Sequence, residues 1–255
     1  MLQGSMLEPP LYSVYTSDLP EDNRVMTATF ADDTAILAAS NHQEEACDKL
    51  QQALDKISNW FADWKIKPSE GKSVHVTYSY RSINLSNRVY IQGLPVPQAN
   101  SAKYLGMHLD RKLTWEVHII AKSKQIKKKT AQLYWLIDRD SPLDLYCKRL
   151  LYNQIIKPIW TYGIQLWDCA KKCHRDKIQA RQNVILRTLV NACQYSCNDD
   201  IHKDLNVKTV NEVIKDLAAK HERRLHRHPN DEALQLLITQ YDVRRLQRTK
   251  PYDLT

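Results

Sequence analysis

The sequence predicts an α+β domain followed by an all-helical region, and three observations support this fold class. Short apolar and β-branched runs, such as residues 25–30 and 34–39, are bounded by turn residues and are typical of strands. Apolar residues then recur at helical spacing between Ala46 and Trp64, which predicts a long amphipathic helix beside those strands. From Trp115 onward the helical spacing continues and the strand signals stop, so we place the change near residue 112.

The first elements surround a pair of acidic residues. A helix is expected near residues 6–16, with Ser5 as its candidate N-cap. Two apolar runs flank Asp32 and Asp33, so this pair is expected at the tip of a hairpin. Because aspartate is common in turns, the pair alone fits either a plain polar turn or a functional site.

A long helix is predicted to follow the hairpin. Ser40 or Asn41 can cap its start. Pro68 is expected to end it, because proline removes a backbone donor and crowds the preceding turn. Further strands are predicted near residues 74–78, near residues 89–91 and, as a pair, within residues 98–110.

Helices account for the second half of the chain. The first carries Ile119 and Ile126 on one apolar face, and five lysines are expected on the rest of its surface: Lys122, Lys124, Lys127, Lys128 and Lys129. Ser141-Pro142 is expected to open the second helix, because proline suits the first helical position. Later helices are predicted near residues 172–191, 209–227 and 231–247.

The composition favours a nucleic-acid-binding protein. The 255 residues include 37 basic and 29 acidic side chains, a formal net charge of +8 that suits contact with phosphates. No apolar run is long enough for a membrane span, and the first residues do not form a signal peptide. We therefore expect a nuclear or cytoplasmic protein that is not secreted, binds no membrane and keeps its six cysteines reduced.

Asp32 and Asp33 carry the clearest chemical implication. Two adjacent carboxylates repel each other unless a cation shares them. Mg²⁺ prefers oxygen ligands and is bound through one or two carboxylates plus substrate phosphates, an arrangement that serves in-line nucleotidyl transfer. The pair therefore predicts a divalent metal site, with Mg²⁺ as the expected ion and Mn²⁺ as an alternative.

Several motifs, in this order, resemble those of reverse transcriptases. Gln3-Gly4-Ser5 resembles their nucleotide-pocket motif, and Phe30-Ala31-Asp32-Asp33 resembles their catalytic acidic turn. The later matches are Trp64-Lys65-Ile66-Lys67 with Lys72-Ser73, then Lys103-Tyr104-Leu105-Gly106, and then residues 156–167. Together these motifs cover almost the whole chain and resemble the polymerase of a non-LTR retrotransposon of the jockey-like group.

The resemblance implies an RNA-directed DNA polymerase, which is a nucleotidyltransferase, and gives roles to the motif residues. Asp32 and Asp33 would be catalytic and would bind the metal. Two further sets would hold the substrates: a nucleotide-binding set of Gln3, Gly4, Ser5 and Lys72, and a primer grip of Tyr104, Leu105 and Gly106. The lysines between residues 122 and 129 would contact nucleic acid.

The resemblance also implies a division of the chain and a set of partners. Residues 1–112 would be a partial palm, an antiparallel sheet with packing helices, residues 113–191 a helical thumb, and residues 192–255 a helical C-terminal extension. The partners would be an RNA template, a DNA primer and deoxynucleoside triphosphates. In this family a third carboxylate and the fingers precede the nucleotide-pocket motif. We therefore expect this chain to be inactive alone and to need an upstream polypeptide that completes the palm.

Two other functions stay open at this point. A non-catalytic remnant could bind nucleic acid through its basic helical half. A zinc-stabilised interaction module could use a loose set of ligands: Cys169, Cys173, His174, Cys193, Cys197 and His202. Mutation of Asp32 would distinguish the enzyme from the binder, and the metal content would identify the zinc module.

Overall fold

A computed structural model of the chain describes residues 6–69, 71–81, 88–193 and 195–235. The chain divides into two compact units, Met1–Leu113 and Thr114–Thr255. The described residues of the first unit combine helices with small antiparallel sheets, and those of the second are helical. The predicted mixture of helices and antiparallel strands is therefore confirmed, whereas the finer division into palm, thumb and extension stays a prediction.

The first unit is built on a hairpin and a long helix. In chain order its first elements are α1 (Glu8–Tyr15), β1 (Val25–Phe30), β2 (Asp33–Ala38) and α2 (Gln43–Asp63). β1 and β2 pair antiparallel, with Phe30 opposite Asp33 beside the turn. α2 packs against both strands, and its apolar face buries Ala53, Leu54, Ile57 and Trp60. This burial explains the helical spacing of the apolar residues in this segment.

The start of α2 differs from the prediction. Its N-cap is His42, whose side chain makes no capping hydrogen bond, so neither Ser40 nor Asn41 caps the helix. The hydroxyl of Ser40 instead accepts a hydrogen bond from the N–H of His42 at 3.4 Å and donates to the carboxylate of Glu45. These bonds use the hydroxyl of Ser40 before the helix begins. Ser40 lies two residues before the N-cap position, which is residue 42.

The end of α2 also comes earlier than Pro68. Lys65 adopts a left-handed backbone conformation with a φ of 53°. Its N–H bonds to the carbonyl of Ala62 at 3.2 Å, and the N–H of Ile66 bonds to the carbonyl of Phe61 at 2.8 Å. This pair of bonds is a Schellman ending, which satisfies the last carbonyls without proline.

Side-chain hydrogen bonds attach two other segments of the first unit to the α2 region. The carboxylate of Asp18 accepts from the indole N–H groups of Trp60 and Trp64, each at 3.1 Å. The side chain of Gln51 accepts from the N–H of Tyr90 at 2.7 Å and donates to its carbonyl at 3.0 Å. The amide of Gln51 thus takes the place of a neighbouring strand, and α2 fixes the position of the chain near residue 90.

Two small hairpins complete the strands of the first unit. They are β3 (Tyr90–Ile91) with β4 (Leu94–Pro95), and β5 (Ser101–Tyr104) with β6 (Met107–Asp110). The strand predicted at residues 74–78 is not formed, since His75 makes only an isolated parallel bridge to Gln98. The segment beside His75 contains Pro97, which lacks the N–H group that a continuous ladder needs.

The second unit consists of helices packed around one central helix. Its described elements are α3 (Glu116–Gln132), α4 (Tyr134–Ile137), α5 (Leu145–Leu151), a π-helical segment (Tyr152–Ile156), α6 (Lys157–Thr161), α7 (Ile164–Trp167), α8 (Lys172–Leu189), α9 (Asn198–Asp204), α10 (Val210–Leu225) and α11 (Asp231–Gln235). The helices predicted near residues 172–191 and 209–227 are present. The last predicted helix is described only to Gln235, and the remainder of it lies outside the described residues.

α8 is the central helix, with α3 and α10 on different sides of it. Lys177 of α8 forms an ion pair with Glu116 of α3 at 3.4 Å. Gln179 of α8 accepts a hydrogen bond from the N–H of Val210 at the start of α10, at 2.8 Å. Because a helix turns about 100° per residue, residues two positions apart point in nearly opposite directions. α3 and the start of α10 therefore contact opposite sides of α8.

The helix predicted to open at Ser141-Pro142 begins later. Its N-cap is Asp144, whose carboxylate accepts from the N–H of Cys147 at 2.9 Å. The hydroxyl of Ser141 bonds instead to the carbonyl of Leu136 at 2.7 Å. Ser141 therefore closes the preceding helical turn, and aspartate, an equally good N-cap residue, starts the next helix.

α5, the π-helical segment and α6 form one continuous helical run. Pro158 lies in the first turn of α6, directly after the π-helical segment. Proline cannot donate to the preceding turn, and its ring crowds the carbonyl four residues earlier. The wider π-helical turn accommodates this conflict without ending the run.

A buried polar contact joins the helical run to α8. Gln182 of α8 donates to the hydroxyl of Tyr152 at 2.9 Å and to the carbonyl of Lys208 at 2.8 Å. Burial raises the pKa of Tyr152 to about 12. The tyrosine therefore stays neutral, and its hydroxyl satisfies a donor that would otherwise be unpaired in the core.

Candidate functional site

The acidic pair lies at the turn between β1 and β2. The pairing of Phe30 with Asp33 leaves Ala31 and Asp32 as the two turn residues, so Asp33 is the first residue of β2. Both aspartates are exposed. Ala31 has a left-handed φ of 50°, a conformation that is costly for a residue with a Cβ. The hairpin therefore presents two adjacent carboxylates to solvent from a tightly constrained turn.

The two faces of this hairpin differ. Side chains of paired residues point to the same face, so Asp33 shares a face with Phe30, Met26 and Leu37. The other face packs against α2. On the Asp33 face, Met26 is 68%, Phe30 63% and Leu37 52% exposed. The carboxylate of Asp33 thus stands at the end of an apolar surface that no described residue covers.

Two tyrosines connect neighbouring segments to the acidic hairpin. Burial raises the pKa of Tyr12 in α1, and the negative charge of Asp32 raises it further. The hydroxyl of Tyr104 in β5 donates to the carbonyl of Ala28 in β1 at 3.5 Å. The structure therefore brings α1 and the residue predicted to begin the primer grip close to this hairpin. Tyr12 lies in the segment that resembles the nucleotide-pocket motif, although no individual role was predicted for it.

The predicted primer grip is a two-residue hairpin turn. Tyr104 pairs with Met107, which leaves Leu105 and Gly106 in the turn between β5 and β6. Their φ angles are 45° and 75°. Positive φ at both positions is typical of the type I′ turn that joins twisted strands. Gly106 adopts this conformation readily, whereas Leu105 is held there at some cost.

The predicted nucleotide-binding residues are only partly described. Gln3, Gly4 and Ser5 lie outside the described residues. Lys72 is exposed in a turn, where its N–H bonds to the carbonyl of Ser69 at 3.1 Å. Within the described part of the first unit, no hydrogen bond or ion pair joins Lys72 to either aspartate.

The acidic pair fits a hard divalent cation by the chemistry of its donors. Asp32 and Asp33 offer four exposed carboxylate oxygens, and Mg²⁺ needs only one or two carboxylates when substrate phosphates and water complete its shell. In residues 6–69, 71–81, 88–193 and 195–235, no group of three or more His, Cys, Asp or Glu side chains could hold a metal ion. The described residues of the proposed zinc set are therefore not assembled into such a group.

The lysine row on α3 is smaller than the sequence predicted. Lys124, Lys127 and Lys128 are exposed and Lys129 is half-buried. Lys122 is only 8% exposed, and its ammonium lies 4.9 Å from the centre of the Tyr162 ring. The expected surface position of Lys122 is wrong. It falls on the buried face with Ile126, where a cation–π contact stabilises its charge.

Two aromatic side chains lie just beyond the end of α3. Tyr134 is half-exposed, and Trp135 is 71% exposed. Trp115, which precedes α3, is buried. Of these three aromatic side chains beside α3, Tyr134 and Trp135 are therefore the ones available to stack on a nucleobase, which every base permits through its π-face.

The comparisons with known proteins concern both units. Residues 1–109 match the family model described as "Reverse transcriptase (RNA-dependent DNA polymerase)". The chain is 37% identical to the probable RNA-directed DNA polymerase from transposon X-element of Drosophila melanogaster, over 99% of this chain and 28% of that protein.

Two further relatives are also named as RNA-directed DNA polymerases of mobile elements. The chain is 35% identical to the probable RNA-directed DNA polymerase from transposon BS of Drosophila melanogaster, over 96% of the chain and 28% of that protein. It is also 35% identical to the RNA-directed DNA polymerase from mobile element jockey of the same species, over 99% of the chain and 29% of that protein. No solved structure matches the chain. The chain thus spans less than a third of these relatives, and its resemblance to polymerases of jockey-like elements is confirmed.

Proposed function

We propose, on the premise that the chain resembles reverse transcriptases over nearly its whole length, that it forms part of an RNA-directed DNA polymerase of a mobile element. The observation that carries this proposal is the hairpin turn of two exposed, adjacent aspartates inside the matched segment. The reaction would extend a DNA primer on an RNA template with deoxynucleoside triphosphates.

Asp32 and Asp33 would hold the divalent metal, with Mg²⁺ as the expected ion and Mn²⁺ as an alternative. When bound, the metal would neutralise and orient the phosphates during nucleotidyl transfer. The turn fixes the backbone of Asp32, and the pairing of Asp33 with Phe30 fixes its direction within β2. The chain would therefore hold the two carboxylates close together on a backbone that has little conformational freedom.

The remaining site residues of the first unit have proposed substrate roles. Gln3, Gly4, Ser5 and Lys72 would contact the incoming nucleotide. Tyr104, Leu105 and Gly106 would position the primer end. The hydrogen bond from Tyr104 to Ala28 supports this role, because it connects their hairpin to the strand that leads into the acidic turn.

The second unit would bind the template–primer duplex. Lys124, Lys127 and Lys128 recur on one exposed side of α3, with Lys129 half-buried beside them, and Trp135 follows the helix. Such contacts would be sequence-independent and would weaken with salt. Lys122 has no part in this surface because it is buried against Tyr162.

An upstream polypeptide is a proposed partner of the first unit. Leu7, Leu11 and Val14 follow one another at spacings of four and three residues and are exposed, so they form an apolar stripe. The apolar face of the β1–β2 hairpin is exposed as well. Exposed apolar surfaces of this kind mark interaction sites. No described helix is both long and apolar enough to cross a membrane, and a nuclear or cytoplasmic location is part of the proposal.

The experiment is a segment exchange with a relative. The corresponding segment of the jockey polymerase, 35% identical over 268 residues, is replaced by this chain, and primer extension on an RNA template is measured with Mg²⁺. Asp32→Asn should lower extension by at least about a hundredfold, because a lost metal ligand costs several kcal/mol in the transition state. Asp63→Asn, which changes an exposed aspartate at the end of α2, is the matched control.

A second measurement does not depend on activity. Mn²⁺ binding to this chain, followed by the relaxation of water protons, should weaken in Asp32→Asn and not in Asp63→Asn. An exchanged polymerase that extends primers equally well with Asn at position 32 would overturn the proposal. Retained duplex binding without any extension would favour the non-catalytic nucleic-acid binder.

A further inference from the structure

The second unit has a groove between α10 and the helical run from α5 to α6. Its volume is about 520 Å³, within the range of sites that hold small organic groups. Pro158 and Leu217 contribute apolar surface, whereas Asn153, Gln154 and Lys157 contribute polar groups. The groove lies beside the π-helical segment, and irregular turns of this kind are frequent at functional sites.

Beyond the groove, α10 continues into a cationic stripe of four residues. They are Lys220, Arg223, Arg224 and Arg227, all exposed. Their spacings of three, four and seven residues place them within about 100° of one another around the helix. Arg227 comes two residues after the end of α10 at Leu225, and its N–H still bonds to the carbonyl of Arg224 at 3.2 Å, so the turn continues. Lys220 stands one turn after Asp216, which lines the groove. The cationic stripe therefore extends the line of the groove.

The charge of the cationic stripe is not compensated within the described part of the second unit, where none of its four residues forms an ion pair. Glu222 lies about 200° around the helix from Lys220 and is half-buried. Asp216 is paired with Lys208 at 2.5 Å. One or two cations at a helix C-terminus are explained by the helix dipole. Four cations on one face of the helix, with no carboxylate between them on that face, are better explained by a polyanionic ligand.

We infer that the groove and the cationic stripe together bind single-stranded nucleic acid. Arginine forks bind phosphate oxygens in pairs, which suits the stripe to a phosphodiester backbone. The amides of Asn153 and Gln154 can donate and accept at a base edge, and the apolar walls can contact its faces. A duplex keeps its bases paired and stacked, so it cannot place one in the groove.

This surface is separate from the exposed lysines of α3. α3 and the start of α10 contact opposite sides of α8, so one straight duplex on α3 does not also cover the cationic stripe. The inference does not rest on polymerase activity, because its readout is binding.

The test measures binding of a short labelled single-stranded RNA to the full chain by fluorescence anisotropy over a salt series. In the variant Lys220→Gln/Arg223→Gln/Arg224→Gln/Arg227→Gln, the slope of log affinity against log salt should fall by about 3. Each phosphate contact on a single strand contributes about 0.7 to that slope. Gln154→Ala should weaken single-strand binding by about fivefold and leave both the slope and duplex binding unchanged.

A matched pair of single variants distinguishes the loss of a charge in the cationic stripe from the loss of a charge elsewhere on α10. Lys220 and Lys215 are exposed lysines of α10 that form no ion pair within the described residues, and Lys215 points about 140° away from Lys220. Lys220→Gln should lower the slope by about 0.7, whereas Lys215→Gln should leave it unchanged. Circular dichroism checks that each variant is folded.

Four results would overturn the inference. The fourfold variant could bind single strands with unchanged affinity and slope, or Lys215→Gln could reproduce the effect of Lys220→Gln. The fourfold variant could instead lose binding to vesicles of phosphatidylcholine and phosphatidylserine while RNA binding is unchanged, which would give the stripe a different partner. Equal weakening of single strands and duplexes, with no effect of Gln154→Ala, would remove the groove from the site.

Discussion

Asp168 should make the protein less stable as pH rises from about 4 to about 7. It is 1% exposed, and its Oδ1 has no hydrogen-bond partner among the described residues. Burial raises the pKa of Asp168 from 3.8 to about 7, although a hydrogen bond from the backbone of Cys169 and the charge of Arg175 oppose that change. At a pH between these two pKa values, Asp168 keeps its proton in the folded protein and releases it in the unfolded chain. The free energy of unfolding must therefore fall as pH rises.

The magnitude follows from the size of the pKa change. One pKa unit corresponds to about 1.36 kcal/mol, so a rise of about 3 units gives up to about 4 kcal/mol between roughly pH 4 and pH 7. Asp168→Asn removes the titrating group and keeps its shape. The variant should be close to the wild type in stability near pH 4 and more stable above about pH 7.

Urea unfolding followed by tryptophan fluorescence, repeated over this pH range, measures the difference between the two proteins. The comparison cancels every other titrating group. Asp176→Asn is the matched control, because Asp176 is exposed in the following helix. If Asp168→Asn and the wild type differ by the same amount at every pH, the folded protein does not hold a protonated Asp168 and the reasoning fails.

Three further predictions concern backbone strain, capping and burial. Ala31→Gly should stabilise the protein by roughly 0.5–1 kcal/mol in urea unfolding, because relief of a left-handed alanine exceeds the entropy cost of glycine; a loss of stability would show that the turn is not strained. Thr209→Ala should cost about 1 kcal/mol by thermal unfolding, because Thr209 and Glu212 form a reciprocal capping box at the start of α10; no change would mean that the box is not formed. Lys122→Met should leave the salt dependence of duplex binding unchanged, whereas Lys124→Gln should lower its slope by about 0.9; equal effects would place Lys122 on the surface.

The sequence predicted the elements whose signals are local and strong. The apolar runs around Asp32 and the helical spacing before Trp64 gave the hairpin and α2, because a period of two or of 3.6 residues needs no tertiary information. The strand predicted at residues 74–78 is not formed for a non-local reason, since the segment beside it contains Pro97.

The turn that carries the candidate site was predictable, whereas its surroundings were less so. The apolar runs predicted that Asp32 and Asp33 lie at the tip of a hairpin, as they do, but nothing local placed Tyr12 near Asp32 or buried Lys122 against Tyr162. Both contacts join segments that are distant in the chain. The cationic stripe of α10 could have been read from its helical spacing, yet its lack of acidic partners is visible only in the fold.

The two-residue turn between β1 and β2 restricts how this chain can vary. Asp33 follows the turn directly, and the side chains of a strand alternate between faces. An insertion of one residue after Ala31 that preserved the pairing of β1 would shift β2 by one position and point Asp33 toward α2. An insertion of two residues would restore its direction but move it along the strand. Length variation should therefore be excluded from this turn even where its residue types change.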